Sequence, residues 1–122
     1  MAQDRPTAAE LVAAVREFLE HDVMAATEGR VQFHTRVAVN ELGMIERELT
    51  DGPAFAAAER ARAEALLGHD GDLTALEREL ADRIRAGSID DQLDAVRAHV
   101  RATVREKLLV ANPGYLPADP SA

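Results

Sequence analysis

RVQFHTRVAVNELGMIEREL, residues 30–49, is the stretch that decides the fold. At 3.6 residues per turn, Phe33, Val37, Asn40 and Met44 share one face, and Ala38, Leu42, Ile45 and Leu49 share a second. A helix with two apolar faces predicts an element covered on both sides, at the centre of a bundle. Gly29 in front is the expected break, and Asp51-Gly52-Pro53 behind is the expected turn.

Working outward, the same period recurs. A first helix is expected over residues 7–26, where Thr7-Ala8-Ala9-Glu10 has the form of a capping box and Leu11, Val15, Phe18 and Leu19 make an apolar stripe widened by Val12 and Val23. A third helix, residues 54–67, is rich in Ala, Glu and Arg with a thin apolar face. Gly68-His69-Asp70-Gly71 ends it, and Asp72 is the expected N-cap of a fourth helix lined by Leu73, Leu76, Leu80 and Ile84 and closed by Gly87. The fifth and longest covers residues 90–111, where Leu93, Val96, Val100, Val104 and Leu108 keep a near-heptad stripe. Asn112-Pro113-Gly114 stops it, and residues 117–122 read as a loose tail. The expectation is an all-α, single-domain bundle of about five helices over residues 1–122, ordered from about 6 to 116, with a long C-terminal helix.

Composition narrows the function classes. The 122 residues are 47% hydrophobic and 30% charged, with no cysteine and a net charge of −8. A disulfide framework, a thiolate metal site and a cysteine nucleophile are therefore excluded. The acidic balance and few aromatics argue against nucleic acid, whose phosphates dominate affinity. No stretch is long and apolar enough for a membrane span, and the opening Met-Ala-Gln-Asp-Arg-Pro lacks the apolar run of a signal peptide, so a cytoplasmic protein is expected.

Motifs that carry chemistry are absent. No phosphate loop, nucleophile elbow or dinucleotide fingerprint occurs. His21, His34, His69 and His99 have no metal-binding spacing. His34 and Glu41 share a face, but two ligands are too few for zinc. Asp70-Gly71-Asp72 lacks the remaining oxygens of a calcium loop. No metal, cofactor or catalytic residue is expected. Three features have two readings each. Asn40, set among apolar neighbours, is either a buried amide fixing helix register or a contact to a partner. Arg97, Arg101 and Arg105 at i, i+4 spacing either pair with Asp94 and Glu106 or meet phosphate or acidic groups elsewhere. Tyr115, after Asn112-Pro113-Gly114, either folds back on the bundle or anchors an interface.

Three segments together have a familiar pattern: Arg5-Pro6-Thr7-Ala8-Ala9-Glu10-Leu11; Glu28-Gly29-Arg30, Phe33-His34, Arg36-Val37-Ala38 and Asn40 through Glu46-Arg47-Glu48-Leu49; and Arg105-Glu106-Lys107-Leu108 through Val110-Ala111-Asn112-Pro113-Gly114-Tyr115-Leu116. The chain resembles a family of small bacterial proteins of unknown function, encoded beside aminoglycoside-phosphotransferase-like kinases and acyl-CoA dehydrogenases. That family includes the small subunit of the 4-hydroxyacyl-CoA kinase of levulinic acid catabolism. The resemblance implies an accessory, non-catalytic role beside a kinase that supplies the ATP site. Candidate partner-binding residues are Arg30, His34, Arg36, Asn40, Arg101, Arg105, Asn112 and Tyr115. The alternatives are a stand-alone homo-oligomeric bundle, paired through its fifth helix, or a binder of a CoA-like phosphate-bearing ligand at the arginine row.

Overall fold

The computed structural model describes residues 4–118. The part of the expected tail from residue 119 onward lies outside the described residues. Every regular element described is helical: α1 (Ala8–Phe18), a π-helical turn (Leu19–Val23), α2 (Met24–Ala26), α3 (Gly29–Leu67), α4 (Leu73–Ala86) and α5 (Leu93–Ala111), with short 3-10 turns at Asp90–Gln92 and Pro113–Tyr115. The first three pieces follow without a gap, so four helical rods are described where about five were expected. None is long and apolar enough to cross a membrane.

The difference in number arises at Asp51-Gly52-Pro53. The expected turn is absent, and α3 continues through Pro53 for 39 residues. Proline removes one helical hydrogen bond and its ring crowds the preceding residue. Here the preceding residue is Gly52, which has no Cβ to meet the ring. The flanking Glu, Leu, Ala and Arg are strong helix formers. Pro53→Ala restores the missing N–H donor to the Leu49 carbonyl and should raise stability by about 1–3 kcal/mol. An unchanged or lower Tm in a thermal melt would show that this bond is not what Pro53 costs.

Contacts divide the chain between Gly52 and Pro53 into two compact units. The first is a helical hairpin. Thr7 caps α1: its Oγ1 accepts from the Glu10 N–H at 3.1 Å while the Glu10 carboxylate receives the Thr7 N–H at 3.5 Å. At the hairpin's bend, Gln32 Nε2 donates to the carbonyls of Met24 and Thr27, and Thr27 Oγ1 donates to Val23 O. These bonds satisfy carbonyls that a helix end leaves open. Gly29 at φ 64 makes the left-handed step into α3. Arg16 of α1 bonds Glu46 of α3 and, at 2.8 Å, Glu20. The Glu46 bond, then the charge beside it, holds the guanidinium protonated beyond its usual range against the opposing effect of burial.

This hairpin has no apolar core of its own: every buried hydrophobic side chain among the described residues lies in the second unit. There Ala63, Leu66 and Leu67 of α3 meet Leu76 and Leu80 of α4, Ile89 of the connection and Val96 of α5. Asp72 caps α4 by accepting from the Ala75 N–H at 3.3 Å. Gly87, at φ 75, ends it with the Ser88 N–H reaching back to Arg83 O. This is the left-handed closure that favours glycine.

The α5 stripe needs correction. Of Leu93, Val96, Val100, Val104 and Leu108, only Val96 is buried, and Leu93, Val100 and Val104 are exposed. The inward face is instead Val96, His99, Thr103, Glu106 and Val110, none of which is fully exposed. Their spacing is also heptad-like, but it is occupied by polar groups that hydrophobicity alone ranks as outward.

Candidate partner-binding surfaces

On the hairpin's α3 segment, the side turned to α1 carries Thr35, Val39, Leu42 and Glu46, all buried or half-buried. Thr35 satisfies its hydroxyl by donating to Val31 O at 2.7 Å. Phe33, Val37, Asn40 and Met44 lie roughly half a turn around the helix, and all are exposed. The helix read as covered on both sides is thus covered on one. Asn40 is correspondingly exposed, and the buried register-fixing amide is set aside. Phe33, 60% exposed, stands edge-on to His34 with ring centroids 5.4 Å apart. Arg30, His34, Arg36 and Asn40 are exposed around this row. An apolar centre with a polar rim is the composition of a protein-binding patch.

The other four predicted residues lie in the second unit. Arg101 and Arg105 are exposed on α5, and neither has an ion pair among the described residues. Their expected carboxylates are otherwise engaged: Asp94 lies 3.9 Å from Arg97, and Glu106 is held by Arg62. Asn112 ends α5, its N–H donating to Leu108 O and its carbonyl accepting from the Tyr115 N–H. This 3-10 turn holds Tyr115 outward at 74% exposure rather than folded back on the bundle. All eight candidates are therefore surface residues, four in each unit.

Sequence reasoning missed a polar cluster between α3, α4 and α5 of the second unit. His99 is 3% exposed. Arg62 Nε donates to its Nδ1 at 3.3 Å, which makes Nδ1 the acceptor. The remaining nitrogen, Nε2, then carries the proton and donates to Glu77 at 3.0 Å. The Arg62 fork closes on both oxygens of Glu106 at 2.9 and 3.0 Å and reaches Thr103 Oγ1 at 3.2 Å. The Glu106 bonds keep the guanidinium protonated beyond its usual range despite burial. Glu59 stands among these charges, its carboxyl pushed up first by burial and then by Glu77. No buried side-chain nitrogen or oxygen among the described residues lacks a partner. Each group is saturated by another, so the cluster ties three helices together and offers no free donor set. The polar heptad of α5 was the available signal for it.

Outside the cluster, His69 bonds the Asp70 carbonyl and Glu79, which together raise its pKa above the ordinary 6.5. Among the described residues no group of three or more His, Asp or Glu is placed to hold a metal ion.

A model of DUF6285, described as a domain of unknown function, matches residues 25–115. No curated protein and no solved structure matches the chain.

Proposed function

The chain belongs to DUF6285, and from that premise we propose that it is a non-catalytic accessory subunit that docks a partner protein on the outward face of α3. The observation that carries this reading is the exposed row Phe33, Val37 and Met44 inside a rim of Arg30, His34, Arg36 and Asn40. Aromatic side chains in such settings are the usual binding anchors. The resemblance of the three sequence segments supports a partner of the aminoglycoside-phosphotransferase type, a kinase acting in acyl-CoA or hydroxy-acid catabolism. The partner would supply nucleotide and magnesium. This subunit would hold the kinase fold in its productive form by binding it selectively. A second reading rests on Arg101 and Arg105, which lack carboxylate partners among the described residues. They suit the phosphates of a CoA-like ligand.

The test is co-expression with the phosphotransferase-type kinase of the same genome, followed by size exclusion and a kinase assay. Co-elution with raised activity is expected. Phe33→Glu should weaken association by roughly 30-fold or more, as loss of a central anchor does, while helical circular dichroism stays unchanged. Separate elution of the wild-type proteins with unchanged kinase activity would overturn the kinase reading. Normal binding by Phe33→Glu would move the interface elsewhere, with Tyr115→Ala and Arg101→Glu reporting on the second unit. A thermal shift on adding CoA that Arg101→Glu and Arg105→Glu abolish would favour the ligand reading instead.

A further inference from the structure

The hairpin has a second uncovered face, distinct from the outward row. On α1, Val12, Arg16 and Leu19 are half-buried toward α3, and Leu11 and Val15 lie roughly a quarter turn back from them. On α3, Thr35, Val39 and Glu46 turn toward α1, and Ala38, Ile45 and Leu49 again lie roughly a quarter turn back. Both helices are right-handed and they run antiparallel across the bend. Equal backward rotations therefore open onto the same side of the hairpin. That side gathers Leu11, Val15, Phe18, Val31, Ile45 and Leu49, each 39–57% exposed.

We propose that this face pairs with the same face of a second copy of the chain, building a four-helix bundle from two hairpins. Three observations select a second copy. First, the hairpin buries no large apolar side chain of its own, and a two-helix unit needs a facing layer to form a core. Second, the six side chains expose about 500 Å² together, with Ala38 and Leu42 half-buried between them; that is most of the roughly 800 Å² each partner contributes to a stable interface. Third, the large side chains of the face are all apolar, and the charged residues Asp22, four residues after Phe18, and Glu41, four before Ile45, flank them, so a two-fold pair seats apolar groups against apolar groups. The hairpin as a whole, residues 4–52, holds ten carboxylates against five arginines, so two copies repel at long range. Screening that repulsion should tighten the pair as salt rises.

Sedimentation equilibrium of the full chain tests this. A dimer is expected, tighter at higher ionic strength. Val15→Glu with Ile45→Glu should raise its dissociation constant roughly 100-fold, whereas Phe33→Glu on the outward face should leave it unchanged. The chain contains no cysteine, so Val15→Cys offers one thiol without an apolar-to-charged change. A flexible bismaleimide should link two Val15→Cys chains and leave Phe33→Cys chains single. A wild-type monomer at every concentration and salt, or a dimer indifferent to Val15→Glu with Ile45→Glu, would overturn the proposal. Loss of kinase binding in that double variant, with a monomeric wild type, would identify the face's occupant as the kinase. The accessory-subunit reading depends on Phe33 rather than Val15, so the two proposals fail separately.

Discussion

Leu76→Ala should lower the stability of the second unit by about 2–5 kcal/mol, the range for truncating a buried leucine. Leu76 is 1% exposed, among the most enclosed side chains described. It lies within reach of Gly71, where a side chain's first carbon would stand 3.5 Å from Leu76. Neighbours on three helices surround it, so little can collapse into the space left behind, and the unfilled volume adds to the lost burial. For a unit this small, 1 kcal/mol moves Tm by roughly 4–8 °C, so the melt should shift down by about 8–40 °C. Val100→Ala is the control. Both residues belong to apolar stripes of the sequence, but Val100 is exposed and its truncation should cost less than about 1 kcal/mol. Equal losses for the two variants would mean that α5 packs through Val100 and not through His99 and Thr103.

That contrast shows where sequence reading succeeds. Local chemistry was legible: the Thr7 capping box, the Asp72 cap and the Gly87 closure all stand where their side chains dictate. Each depends on atoms within four residues, which the sequence displays directly. The all-helical class followed from apolar spacing. The helix count failed at Pro53 because a strong local breaker was outweighed by helix formers on both sides and by the glycine before it. The inward face of α5 was misjudged because apolar periodicity assumes that polar groups face water. Arg62 and Glu106, 44 residues apart, cancel each other's charge inside the unit, and no local pattern announces such a pair.

The same limit explains the candidate surface. That residues 30–49 have two apolar faces was legible, but what covers each face was not. α1 covers the Thr35 and Leu42 side, and Phe33, Val37 and Met44 remain outside. Two apolar faces on a helix specify two neighbours without specifying that both come from the same chain. The second unit closes a core around Leu76 and Leu80, whereas the hairpin only half-buries Val12, Leu19, Val39 and Leu42 between its helices and leaves Leu11, Val15, Phe18, Phe33 and Ile45 exposed. This division of labour fits one unit that stabilises itself and another that is completed by association.

Arg62→Met should be nearly as damaging as the core truncation, at about 2–4 kcal/mol, though it keeps the stem and removes only polar atoms. The loss comes from what is left behind. Glu106 would retain a largely enclosed carboxylate without its two N–H donors, Thr103 would lose a partner, and His99 Nδ1 would be an unmatched acceptor inside the unit. Pairing Arg62→Met with Glu106→Gln separates these effects, because the amide removes the stranded charge while keeping the shape. In a double-mutant cycle the second change should recover about 1–2 kcal/mol, the sign expected when one partner's loss is mostly the other's desolvation. Adding His99→Leu should recover more, since an apolar side chain of similar size leaves no nitrogen unmatched, although Glu77 then gives up its donor. Strict additivity across Arg62, Glu106 and His99 would contradict a single saturated cluster. It would mean that each group is solvated on its own, and that the bond geometry does not describe the folded unit in water.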